Sequence, residues 1–150
     1  MKNIFLIVLL NITSTSLLQG QNNIPDDKQR KDISSLIDRY SEAREKRDTM
    51  LLKSILTTDI DQLVSSGEWR NGMSSSVKGM LNSSASSPGT RTLNIEKIRL
   101  LTQGSAIADC RYEIQNKDGT TRKMWSTFIV VLDKGKWKIS AIRNMLPSAQ

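Results

Sequence analysis

Ile33, Leu36, Ile37, Tyr40 and Ala43 recur at the spacing of one helical stripe. The pattern predicts an amphipathic helix of roughly five to six turns, started by Pro25 and the capping pair Asp26-Asp27. A second, shorter helix carries Met50, Leu51, Leu52, Ile55 and Leu56, with Asp48 or Thr49 as its cap. The stretch "IDQLVSSGEWRNG" then reads as two short extended pieces around a Ser-Ser-Gly turn. Met73, Val77, Met80 and Leu81 mark a third helix, closed by the breaker run "NSSASSPGT".

From Arg91 the period changes to two. The runs "RTLNIEKIRLL", "SAIADCRYEIQ", "TRKMWSTFIVVL" and "KWKISAIRNM" are separated by "TQG", "NKDG" and "DKGK". Each connection is short and holds a glycine, as antiparallel hairpins require. The expected order is two helices, a short hairpin, a helix and a four-strand meander. That is an α+β architecture, an antiparallel sheet with helices on one face. In "TFIVVL" apolar residues fall on both faces, so the strand is expected to be covered twice. Helices supply one cover, and a homodimer through the sheet is the expected source of the other.

Alternate residues of a strand point to opposite faces. In the last strand Trp137, Ile139, Ala141, Arg143 and Met145 then form the greasier set, which should face the helices. Arg143 becomes the polar point of an apolar interior, and an unpaired buried charge is very costly. Its partner is either a carboxylate such as Asp109, Glu113 or Glu68, or an anionic ligand. In "AIADCRYEI" parity sets Asp109, Arg111 and Glu113 on one face and Ala108, Cys110, Tyr112 and Ile114 on the other; a bulge would reverse part of this. Trp69, between the glycines of "GEWRNG", and Trp125 are candidates for a pocket mouth and wall, or for core and dimer contacts.

Composition narrows the chemistry. The 150 residues contain no histidine, which removes Ser-His-Asp and Cys-His catalysis and His-ligated zinc or haem. No spacing of carboxylates suggests a metal site, and no Gly-rich fingerprint suggests a dinucleotide, so neither metal nor cofactor is expected. Cys110 is the single cysteine and reads as a buried, inert thiol. The net charge of +7 comes without any nucleic-acid-binding motif, and only 5% of residues are aromatic, so nucleic acid is not expected as a partner.

At the start of the chain, Lys2 precedes the apolar run Ile4 to Leu10 and a small polar tail. This is the form of a secretory signal peptide, and the run is too short to span a bilayer. The expected organisation is a signal peptide over 1–20, a flexible segment over 21–27 and one domain over 28–147. The protein is expected to be exported, periplasmic or secreted.

The strings "SSGEWRNG", "GTRTLNIEKIRLL", "AIADCRYEI", "RKMWSTFIVV" and "WKISAIRNMLP" together resemble the SnoaL-like proteins of the nuclear transport factor 2-like superfamily, and more narrowly the SgcJ/EcaC-type subgroup. The resemblance covers nearly the whole chain after the signal. It implies a cone-shaped α+β fold, a curved antiparallel sheet wrapped around about three helices, enclosing an apolar cavity and commonly dimeric through the sheet. The superfamily holds polyketide cyclases, ketosteroid isomerase and dehydratases alongside simple binders, so fold alone leaves function open. Three readings follow. The first is an exported binder of a small apolar or anionic molecule, using Arg143, Trp69 and Trp125. The second is a cyclase, isomerase or dehydratase with Asp109 as base and Tyr112 or Arg143 steadying an oxyanion. The third is a dimeric interaction module with no small ligand.

Overall fold

The computed structural model describes residues 23–147. The expected signal peptide lies outside the described residues, as do 21–22 and 148–150. Helix α1 (Asp27–Lys46) opens on a capping box. The Asp26 carboxylate accepts from the Gln29 N–H at 2.7 Å, and the Gln29 side chain accepts from the Asp26 N–H at 3.0 Å. Just before it, the Asn23 carbonyl accepts from the Leu100 N–H at 2.9 Å and Pro25 is buried. The helix begins at Asp27.

Helix α2 (Thr49–Ile55) is capped by Asp48, which accepts from the Leu51 N–H at 2.9 Å. Strands β1 (Leu56–Leu63) and β2 (Trp69–Asn71) form the short hairpin. Helix α3 (Gly72–Ser86) continues through most of the serine run expected to break it. It stops before Pro88, whose ring disfavours helical backbone in the residue ahead of it. The meander follows as β3 (Gly89–Thr102), β4 (Ser105–Asn116), β5 (Thr121–Asp133) and β6 (Lys136–Met145).

The six strands form one sheet in the order β2-β1-β6-β5-β4-β3. Strand β1 runs parallel to β6, so the sheet is mixed rather than purely antiparallel. Hairpin signals report only neighbours in sequence, and this pairing joins strands at opposite ends of the domain.

The helices cover one face. Ile33, Leu36 and Ile37 of α1, with Leu52 of α2 and Met80 of α3, pack onto Ala108, Phe128, Val130, Ile139 and Ile142 of the sheet. Tyr40 meets Phe128 edge to face with ring centres 5.2 Å apart. Cys110 lies within this core, where burial pushes its thiol up to about 12.

One irregularity decides which side chains reach the interior. Ile129 pairs with Ala141 but Val130 pairs with Ile139, so Ser140 is an extra residue in β6. The bulge resets parity. Trp137 and Ile139 face the helices before it; Ile142 and Asn144 do so after it, while Ala141, Arg143 and Met145 turn to the other side.

Candidate functional site

A half-open cleft of about 280 Å³ lies where the β1–β2 loop, the end of α3 and the inner face of β3 to β6 meet. Its walls carry four arginines, Arg44, Arg70, Arg91 and Arg122, against one carboxylate, Glu68. Beneath the helices their buried side chains pack against the sheet, and the walls of this cleft are largely polar.

The capping box and stripe of α1 fix Arg44 one turn beyond Tyr40. Only 5% of Arg44 is exposed, yet it meets no carboxylate. Its Nε donates to the Ser84 hydroxyl at 2.9 Å and its Nη1 to the Tyr40 hydroxyl at 2.7 Å. Burial holds the Tyr40 phenol above its ordinary range, with Arg44 acting against that shift, so the hydroxyl is a neutral acceptor.

Arg91 starts the inward row of β3 and is 7% exposed. It donates only to backbone, from Nη1 to the Gly89 carbonyl at 3.2 Å and from Nη2 to that of Ser87 at 2.8 Å. Its Nε is buried with no partner.

The other two arginines are served differently. Arg70 grips Glu68 with Nε at 2.8 Å and Nη2 at 3.3 Å, which lowers the Glu68 carboxyl below its usual range. The side chain lies against α3 at Gly79, where an added Cβ would stand 2.3 Å from Arg70 Nε. Arg122 is exposed and reaches the Ser65 hydroxyl at 2.7 Å. On the floor, Tyr112 projects from β4, and Asn144 accepts from the Ser126 hydroxyl, which leaves its amide hydrogens for another acceptor.

The expected site residues divide between the two faces of the sheet. Tyr112 lines the cleft. Arg143 does not: the Ser140 bulge turns it outward, where Nη1 meets Asp61 at 2.6 Å and its guanidinium lies 4.8 Å from the centre of the Trp69 ring. Its partner is thus a protein carboxylate that was not among those expected. Trp69 and Trp125 are 52% and 39% exposed on that outer side. Asp109 is outward too, accepting from the Thr127 hydroxyl at 2.6 Å. Asp109 and Tyr112 therefore face opposite ways.

Sequence reading missed Arg44, Arg70, Arg91, Arg122 and Asn144. Two signals were present. Arg44 continues the stripe of Ile37 and Tyr40 at i+7 and i+4, although the run "SEAREKRD" reads as a solvated face. Arg91 shares parity with Leu93 and Ile95. Among the described residues no group of three or more His, Cys, Asp or Glu could hold a metal ion, and no helix is long and apolar enough to cross a membrane.

No family model matches the sequence, and no curated protein is significantly similar to it. Solved structures do match. A nuclear transport factor 2-like protein of unknown function from Shewanella oneidensis superposes with TM-score 0.67 at 19% identity, covering 77% of this chain and 98% of its own. The chain has the nuclear transport factor 2-like fold. A second protein of this kind, from Novosphingobium aromaticivorans, matches with TM-score 0.71 at 16% identity over 82% of this chain and 84% of its own. A putative calcium/calmodulin-dependent protein kinase II association domain from Xanthomonas campestris reaches 0.67 at 18% identity, over 83% of this chain and 91% of its own. Proteins with this fold thus carry different labels, and residues must decide what this one does.

Proposed function

We propose that the chain is a small-molecule-binding domain whose cleft takes a compact organic anion, with its carboxylate or phosphate seated on Arg44 and Arg91. The observation that carries this reading is the pair of buried guanidiniums on one cleft, neither facing a carboxylate among the described residues. Tyr112 and Asn144 add donors at the floor, and Ile114 and Met124 offer a narrow apolar wall. Binding is favoured over acid–base catalysis because Glu68, the only carboxylate of the cleft among the described residues, is tied to Arg70 and held ionised. Calorimetric titration with benzoate and short aliphatic carboxylates at low salt tests the reading. Saturable binding lost in Arg91→Met supports it; heats no greater than dilution for the whole series reject it.

The outer face suggests a homodimer as a second property. Trp69, Trp125 and Met145 are exposed there, beside half-buried Ile107 and Ile129. Exposed apolar side chains gathered on one face are characteristic of association surfaces. Sedimentation equilibrium should give a dimer that Trp125→Asp weakens; a monomer at the highest concentrations removes the idea. Export belongs to the same proposal and rests on Lys2 and the Ile4–Leu10 run. The intact mass of the protein recovered from its native cells should lack residues 1–20, and an uncleaved Met1 would count against it.

A further inference from the structure

We infer that the ligand of the cleft carries two negative charges, one for each buried guanidinium. The inference rests on the anion-binding reading and adds a charge count to it. A buried cation is tolerated when a counter-charge and hydrogen-bond acceptors replace the water it has lost. Arg70 has Glu68, and Arg122 stands in solvent, where water and salt screen it. Among the described residues Arg44 and Arg91 have neither form of relief, although Arg44 lies 5.6 Å from the centre of the Tyr40 ring, a weak cation–π contact. Their acceptors are the hydroxyls of Tyr40 and Ser84 and the carbonyls of Ser87 and Gly89, all neutral.

Both sit by the C-terminal end of a helix, Arg44 in the last turn of α1 and Arg91 on the carbonyl of Ser87 that caps α3. The negative ends of those dipoles amount to about half a charge each and lower the cost without cancelling it. A monoanion would balance one guanidinium and leave the other facing its attraction alone. A dianion balances both and supplies acceptor oxygens to each guanidinium. The chemical class is a compact dianion, either a short dicarboxylate or a phosphate monoester. Both present paired oxygens that match the guanidinium fork.

The test is a charge ladder at constant size. Succinate, glutarate and adipate are titrated calorimetrically into the purified protein beside their monomethyl esters, with phenyl phosphate beside benzoate. At least one dianion should bind about tenfold or more tightly than its singly charged counterpart. Arg44→Met and Arg91→Met should each bring that dianion down to the counterpart's affinity, and Arg143→Met, on the outer face, should leave the ratio unchanged. Preference for a diacid assigns the two charges to separate carboxylates; preference for phenyl phosphate assigns them to one head group, and either supports the inference. Equal affinity of dianions and monoanions in the unmutated protein overturns the charge count while leaving the anion-binding reading intact. Binding of neither removes both. The ladder on the unmutated protein decides the matter without any variant that fails to fold.

Discussion

Arg91 and Arg143 stand on opposite faces of the same sheet and are stabilised in different ways. Arg143 has a carboxylate at 2.6 Å and an indole ring beneath it, and its side chain keeps 29% of its accessible surface. Arg91 is nearly buried, meets only carbonyls and leaves Nε unbonded. The outer arginine is complete without a ligand. The inner one, with Arg44, is not. A charged side chain that the fold itself has neutralised says little about binding, whereas one that it has buried without a counter-charge points to what is missing.

The faces also differ in what they contribute to stability, and that is the largest effect to test. Phe128 and Ile129 are consecutive in β5, the first wholly buried against Tyr40 and the second half-buried on the outer side. Phe128→Ala should cost about 3–5 kcal/mol in denaturant unfolding. Ile129→Ala should cost less than half as much at concentrations low enough to dissociate the proposed dimer, because part of its surface is then in water. The loss should grow with protein concentration as the dimer covers that face, and a loss independent of concentration would count against the dimer.

Next in size is Gly79→Ala. In an open helix the change would stabilise by about 1 kcal/mol. Here the new methyl would displace Arg70 from its contacts with Glu68, Gln62 and Ser83, so a net loss of about 1–3 kcal/mol is expected. A rise in the melting temperature would show that Arg70 moves aside freely and does not shape the cleft.

The smallest effects come from the arginines themselves, and they should separate by readout. Arg143→Met should lower stability by about 1 kcal/mol or less, since its pair is partly solvated, and leave ligand affinity unchanged. Arg44→Met should leave unliganded stability within about 1 kcal/mol, because the lost hydrogen bonds are offset by removal of an unneutralised buried charge. Its ligand affinity should nevertheless fall. Reversed readouts in the two variants would exchange the roles assigned to the faces.

The architecture was largely legible because it is written in local signals. Asp26 and Asp48 cap the helices, the stripe from Ile33 to Ala43 faces the core, and three glycine-bearing turns space the meander. Two features were not legible, for physical reasons. The parallel pairing of β1 with β6 depends on contacts between distant segments, for which no turn residue speaks. The Ser140 bulge inserts a single residue into a strand whose alternation otherwise continues smoothly, and it exchanges Arg143 for Asn144 at the cleft floor. The expected polar point of the interior was sought in the right strand and fell one residue away. The arginines of the cleft escaped because charge in a helical run or at a strand start ordinarily means solvent, and only burial distinguishes Arg44 and Arg91 from their neighbours.

The most direct test is a side-chain NMR titration that follows the Nε–H signals of the arginines as glutarate is added. The Arg91 signal should shift strongly as its guanidinium gains a counter-charge, with Arg44 moving alongside and Arg143 staying in place. A shift confined to Arg143, or no shift at Arg91 while glutarate binds elsewhere, would contradict an anion site on the inner face.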